Sequence, residues 1–279
     1  MNDGEAFSSV DLVGQCLIDE ARTLAFEKVI NETVKSEHIV LDVGTGSGIM
    51  ALFSAKAGAK EVYALEYDPF IAKIADSNFR DNNLNNIKEL FVGDARSFVY
   101  PKDIKFDVVT MELLTTGMVD EYQIKALNNL HKQNIVTNKT IFIPQKQETY
   151  ISLANSKFEM YGFKFKMVKH LWNNLSENQQ GEMMSENYLL NSIDFSLINE
   201  EVFNNEITLI ASNDGKINSI YLSSTVIFNE SLTLKDTETL NAPVVVPIPD
   251  IEVKKGDKIK LHINYIFGGG YNNFKINVL

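Results

Sequence analysis

Cysteine is nearly missing from this chain: Cys16 is the only one in 279 residues, which leaves no disulfide framework and no thiolate cluster for zinc. Histidine is scarce too, and His131 and His262 have no partners at metal-ligand spacing, so no metal is expected. No apolar stretch reaches about 18 residues, so no membrane span is expected. The first residues, MNDGEAFSSVDLVG, hold no basic segment followed by an apolar run, which argues against a secretory signal. A lone thiol then makes the reducing cytoplasm the expected location. Basic residues are outnumbered, 26 against 37 acidic ones, for a net charge of -11. Such a surface lacks the basic footprint that nucleic-acid binding needs and suits a neutral or cationic partner.

What is present alternates. HIVLDV, EVYALEY, IKELFVGD and FDVVTMEL are short apolar runs of strand type, and SGIMALFSAKAG and FIAKIADSNFRDNN between them carry helical spacing. Strand and helix in alternation imply a parallel sheet covered by helices. Beyond TIFIPQKQETYISLA, near Pro144, the pattern becomes a series of strands separated by Asn, Asp and Gly turns. The expected fold is therefore an α/β Rossmann-like domain over residues 1–143, followed by a mostly β, barrel-like domain over 144–279. One stretch, KFKMVKHLWNNLSENQQGEMMSENYLLN, breaks the strand series and reads as partly helical, a projecting arm near 158–190.

The first strand runs into a turn reading D-x-G-x-G-x-G, with Asp42, Gly44, Thr45, Gly46 and Gly48. It matches neither the phosphate loop nor the strict dinucleotide fingerprint. Glycines here let a ligand come close to the backbone. Glu66, followed by Tyr67, ends the next strand, where a carboxylate can accept bonds from both ribose hydroxyls. Asp94, followed by Ala95, ends the third and can accept from an adenine amino group. Three such positions at successive strand ends suit an adenosine-containing cofactor. A pyrophosphate would sit poorly beside Asp42, whereas a sulfonium and an α-ammonium would not, which favours S-adenosyl-L-methionine over a flavin or nicotinamide dinucleotide.

VLDVGTGSGIMALFSAKAGAKEVYALE resembles the first motif and following helix of the protein arginine methyltransferase family. LIDEARTLAFEKVI resembles that family's D-E-x-R-T helix, and the resemblance places Arg22 against the carboxylate of the donor's methionine moiety. After the fourth strand there is no proline between Ile104 and Ile143, so the proline tetrapeptide of nucleic-acid amino-methyltransferases is absent. Glu112 and Glu121 stand there instead, at the spacing of the family's double-glutamate hairpin. Two carboxylates can bind a guanidinium and draw its positive charge onto the nitrogens that do not attack. They can equally hold an amine and assist loss of its proton. The resemblance extends into the second half, and KFEMYGFKFKMVKHLWNNL falls where the family carries a dimerisation arm, implying a homodimer.

This chain departs from the family in two places. Where the family has T-H-W, this sequence has Glu238-Thr239-Leu240-Asn241, and GMVDE between the glutamates lacks aromatic residues. His170 and Trp172, in H-L-W, lie in the arm and are read as packing residues. The function implied is N-methylation of a guanidino or amino group on a peptide, protein or small metabolite. A biosynthetic methyltransferase of a natural-product amine and a catalytically inactive, donor-binding partner subunit are the alternatives.

Overall fold

The computed structural model describes residues 9–172 and 181–279. Helix α1 (Val10–Ile18) is capped by Ser9 and buries none of its residues. Asp19 then caps α2 (Glu20–Thr33), accepting from Arg22 N at 3.1 Å. Strands β1 (Ile39–Val43), β2 (Glu61–Glu66), β3 (Ile87–Val92), β4 (Val108–Met111) and β5 (Ile141–Ile143) pair in parallel in the order β3-β2-β1-β4-β5. The near-continuous buried runs of the inner strands β1 and β4 fit this arrangement, because a parallel sheet is covered on its faces by helices. Helix α3 (Ile49–Lys56) packs on β1 and β2, and α4 (Pro69–Asn82) on β2 and β3. Asp68 caps α4 with Pro69 in its first turn. Helix α5 (Gln123–Lys132) buries Ile124, Ala126, Leu127 and Leu130 at helical spacing.

The parallel sheet ends at a cis Ile143–Pro144 peptide, and antiparallel sheets follow. Strand β6 (Lys146–Asn155) leads into the short pieces β7 (Glu159–Met160), β8 (Phe163–Lys164), β9 (Lys169–His170) and β10 (Glu182–Met183). Then come β11 (Tyr188–Asp194), β12 (Val202–Ile210), β13 (Gly215–Ile227), β14 (Thr233–Leu234), β15 (Val244–Val253), β16 (Lys258–Ile266) and β17 (Lys275–Val278). One sheet runs β10-β6-β13-β15-β9, with β11 beside β6 and β14 beside β13; a second runs β12-β16-β17. β7 and β8 form a separate hairpin. The two larger sheets share one apolar core with the parallel sheet, in which Phe26 of α2 meets Phe228 edge-on at 4.8 Å.

The arm is expected from its sequence to be partly helical. Its described part, 158–172 and 181–190, is extended, with strand bridges and turns and no helix; residues 173–180 lie outside the described residues. Among the described residues no helix is long and apolar enough to cross a membrane, and none group in threes around a metal position.

Candidate active site

The turn after β1 is built by its glycines. Gly44, Gly46 and Gly48 all have left-handed backbone, at φ 73°, 55° and 89°. A side chain at Gly48 would also place its Cβ 2.5 Å from the Phe79 ring. The turn is held from below by Asp42, which accepts from Thr45 Oγ1 at 2.5 Å and Thr110 Oγ1 at 2.7 Å. Burial pushes the Asp42 carboxyl up to about 6 in spite of those bonds. Glu66 reaches under the same turn, accepting from Gly46 N at 2.9 Å and from Asp68 N at 3.0 Å. Burial raises its carboxyl as well.

Two clefts open on this turn. The first, of about 560 Å³, is lined by Gly44, Glu66, Tyr67, Asp94, Ala95, Arg96, Leu113 and Tyr122, with Glu121 at its end. Asp94 is engaged by Arg96, whose Nε lies 2.9 Å from both carboxylate oxygens. Burial opposes ionisation of Asp94, but the bonds from Arg96 outweigh it and hold the carboxyl low. The Arg96 guanidinium lies 4.1 Å from the centre of the Tyr122 ring, forming one wall. The second cleft, about 810 Å³, is lined by Arg22, Asp42, Thr45, Gly46 and Glu112, by Leu12, Val13 and Cys16 of α1, and by Trp172 and Thr239. Gly44 and Glu121 border both clefts. Gly48 lines neither; it starts α3 behind the turn. A donor with an adenosine end and a cationic amino-acid end fits this pair of clefts. Apolar walls and the Glu66 carboxylate lie on one side, and the Asp42 carboxylate on the other.

The two glutamates are unequal. Glu112 Oε2 takes both Nε of Arg22, at 2.8 Å, and one of its terminal nitrogens. The side chains are 8% and 12% exposed. Arg22 spends a further N–H on Cys16 O at 3.0 Å. The family resemblance places Arg22 against the donor's carboxylate; in this structure its main partner is Glu112. Glu121 has no hydrogen-bond partner among the described residues. Burial, and then the charge of Glu112, push its carboxyl well above the usual range, with Arg22 opposing.

The loop between them is fastened to both halves of the chain. Buried Gln123 closes its base, accepting from Leu113 N at 3.0 Å and donating to Met111 O at 3.2 Å. Thr116 Oγ1 donates to Ala242 O at 2.7 Å, and Gly117 N to Ser224 Oγ at 3.0 Å. Gly268 N donates to Met118 O, and a Cβ on Gly268 would stand 2.9 Å from Glu121 O. The segment standing where T-H-W would be also docks at the site. Asp19 accepts from Thr239 N and Oγ1, each at 2.9 Å, and from Thr237 Oγ1.

Sequence reading missed Gln123, Thr237, Thr239 and the lining residues of α1, because none belongs to a motif, and Thr237 and Thr239 reach Asp19 across 218 and 220 residues. It read His170 and Trp172 as packing residues; their rings do stack, and Trp172 also lines the second cleft.

The model of the ribosomal protein L11 methyltransferase (PrmA) family matches residues 23–181. The chain belongs to that family. It is an S-adenosylmethionine-dependent methyltransferase. An uncharacterized protein of Methanocaldococcus jannaschii is 32% identical to this methyltransferase over 94% of each chain. Protein arginine N-methyltransferase 2 of Dictyostelium discoideum is 30% identical over 54% of this chain and 29% of its own. The ribosomal protein L11 methyltransferase of Staphylococcus aureus is 32% identical over 54% of this chain and 46% of its own. The methyltransferase thus spans less than half the length of those two relatives. Among solved structures, the Trypanosoma brucei PRMT1 enzyme-prozyme complex with AdoHcy superposes with a TM-score of 0.75 at 16% identity, covering 98% of both chains. Arabidopsis thaliana protein arginine methyltransferase 10 gives 0.71 at 20% identity over 88% of this chain and 85% of its own. At those identities the likeness concerns the fold: a Rossmann-like methyltransferase domain followed by antiparallel sheets.

Proposed function

We propose that the enzyme methylates a nitrogen of a cationic acceptor, a guanidino or amino group on a peptide, protein or small metabolite. The observation that carries this reading is Glu121, a carboxylate without a hydrogen-bond partner among the described residues, at the meeting point of the two clefts. The bound donor supplies an electrophilic methyl, whose bond to sulfur breaks as the acceptor's lone pair forms the new N–C bond. Glu121 holds the acceptor cation and takes up the proton that nitrogen must lose, a task suited to a carboxyl with a raised pKa. Glu112, already neutralised by Arg22, orients that guanidinium and shapes the pocket wall. Donor roles follow position. Glu66 receives the ribose hydroxyls, Tyr67, Asp94 and Ala95 border the adenine, and Asp42 with Gly44, Thr45, Gly46 and Gly48 frames the methionine moiety. The N–H groups of Arg22 left over from Glu112 face the donor's carboxylate.

On this reading residues 1–143 bind the donor and 144–279 complete the acceptor side. The arm near 158–190 joins two copies through an apolar face that includes the exposed Tyr161, Phe163, Phe165 and Met167. The test is transfer from labelled donor into an acceptor panel of guanidines, amines, alcohols and thiols, with mass spectrometry locating the methyl. Label on oxygen, sulfur or carbon alone would overturn the nitrogen assignment. For the donor side, Glu66→Ala should weaken donor binding by calorimetry, and unchanged affinity would count against that role.

A further inference from the structure

Trp172 is the chain's only tryptophan and is 46% exposed. It lies two residues past the end of β9 and shares the second cleft with Glu112 and Glu121. An indole left half open at a cleft needs a reason to stay in place, and this one is held. Its ring stacks on His170 with centroids 5.7 Å apart and planes 15° from parallel. His170 is fixed in turn by pairing with Val244 across β9 and β15, and by Tyr271 meeting its ring edge-on at 5.5 Å. Its Nε2 stands 3.5 Å from Asp120 Oδ2, one residue before Glu121. One short loop therefore carries Glu121 and, through Asp120 and His170, touches the support of the aromatic ring that lines the same cleft.

We propose that Trp172 is a specificity-determining wall of the acceptor pocket, against which a planar guanidinium stacks while Glu121 binds its edge. This rests on the nitrogen-acceptor reading given above and narrows it to guanidines. With one face taken by His170, the remainder of the indole is what the cleft meets, and an aromatic ring attracts a cation electrostatically. A guanidinium is flat, stacks on such rings, and directs its N–H groups in its own plane toward a carboxylate. An ammonium has no face to stack. A urea has the face without the charge. His170 is a positioning residue that acts through Trp172.

Because Trp172 is the single tryptophan, its emission reports on this wall alone. The full-length protein, saturated with S-adenosylhomocysteine, is titrated with butylguanidine, butylamine and butylurea. Butylguanidine should change the emission saturably, butylamine should bind about tenfold more weakly, and butylurea should have no effect. By calorimetry, Trp172→Ala should weaken butylguanidine about tenfold with donor affinity unchanged, while Trp172→Phe stays within about threefold of wild type. His170→Ala should behave like Trp172→Ala, and His170→Phe, which can still stack, should restore binding. Emission blind to butylguanidine, or equal affinity in Trp172→Ala, overturns the wall. If labelled methyl still reaches nitrogen acceptors in that case, the broader acceptor reading stands. If only butylurea perturbs Trp172 and no nitrogen acceptor is methylated, both fail together.

Discussion

Glu112→Gln and Glu121→Gln are the same chemical change nine positions apart, yet they should shift stability in opposite directions. Glu112 is the buried partner of Arg22, with side chains 12% and 8% exposed. Removing one member of such a pair typically costs about 3–5 kcal/mol, since the other charge is left buried without compensation. A glutamine carbonyl can still accept one Arg22 N–H, and Cys16 O keeps another at 3.0 Å, so the lower end applies, about 3 kcal/mol. Unfolding entropy near 2.1 cal/mol/K per residue amounts to about 0.6 kcal/mol/K for 279 residues, which makes the loss about 5 °C in Tm. Glu121 has the opposite sign. Its folded pKa is raised, so the stability it contributes is complete below its unfolded pKa and is lost as pH rises through the folded value. Glutamine avoids that loss, and Glu121→Gln should melt higher than wild type at pH 8. Thermal melts of the ligand-free proteins by circular dichroism, in low salt at pH 8, decide the matter. Shifts of the same sign, or both within about 1 °C of zero, would refute the unequal roles of the two glutamates.

Three further outcomes follow from the geometry. Asp42, with its carboxyl pushed up to about 6, must ionise to receive a cationic donor group, so donor affinity should fall between pH 7 and pH 5 and binding near pH 6 should release a proton. Calorimetry in two buffers of different ionisation enthalpy measures this, and an affinity flat across that range would contradict it. Asp19→Ala removes the α2 cap together with the bonds to Thr237 and Thr239, which should cost about 2–3 kcal/mol in a denaturant titration. Because Asp19 is held low in the fold, its contribution is present above its unfolded pKa and disappears as pH falls through the folded value; a deficit in Asp19→Ala as large at pH 3 as at pH 7 would argue against the clamp. Gly268→Ala must strain a backbone at φ 71° and press on Glu121 O, so turnover should drop while donor affinity holds. Turnover at the wild-type level would show that the loop tolerates the displacement.

The strands of the parallel sheet and the glycine turn were legible because their signals are local: apolar runs, caps and left-handed turns lie within a few residues of one another. β15 was harder. VVVPIP carries Pro247 and Pro249, which argue against a central strand, but β15 pairs with β9 only at Val244 and Val245, and among the described residues no ladder partner continues on that side past them. The arm read as partly helical because its polar residues lack strand alternation, while its described part is held by brief bridges to other strands. The carboxylates were found by position after β4, but their inequality depends on Arg22, 90 residues from Glu112. Thr239 reaches Asp19 across 220 residues, and Trp172 reaches the cleft of Glu121 from another sheet. No sequence window spans such separations, so site residues without a motif stayed invisible.

The nitrogen-acceptor assignment turns on Glu121, and the most direct measurement compares methyl transfer by wild type and Glu121→Gln with donor affinity determined on the same samples. Wild-type enzyme should place the label on nitrogen of a guanidine or amine. Glu121→Gln should bind S-adenosylmethionine normally and lose about 10²-fold in turnover, the usual loss when one preorganised electrostatic contact is removed. Equal turnover in the two proteins would place the acceptor elsewhere and contradict the assignment.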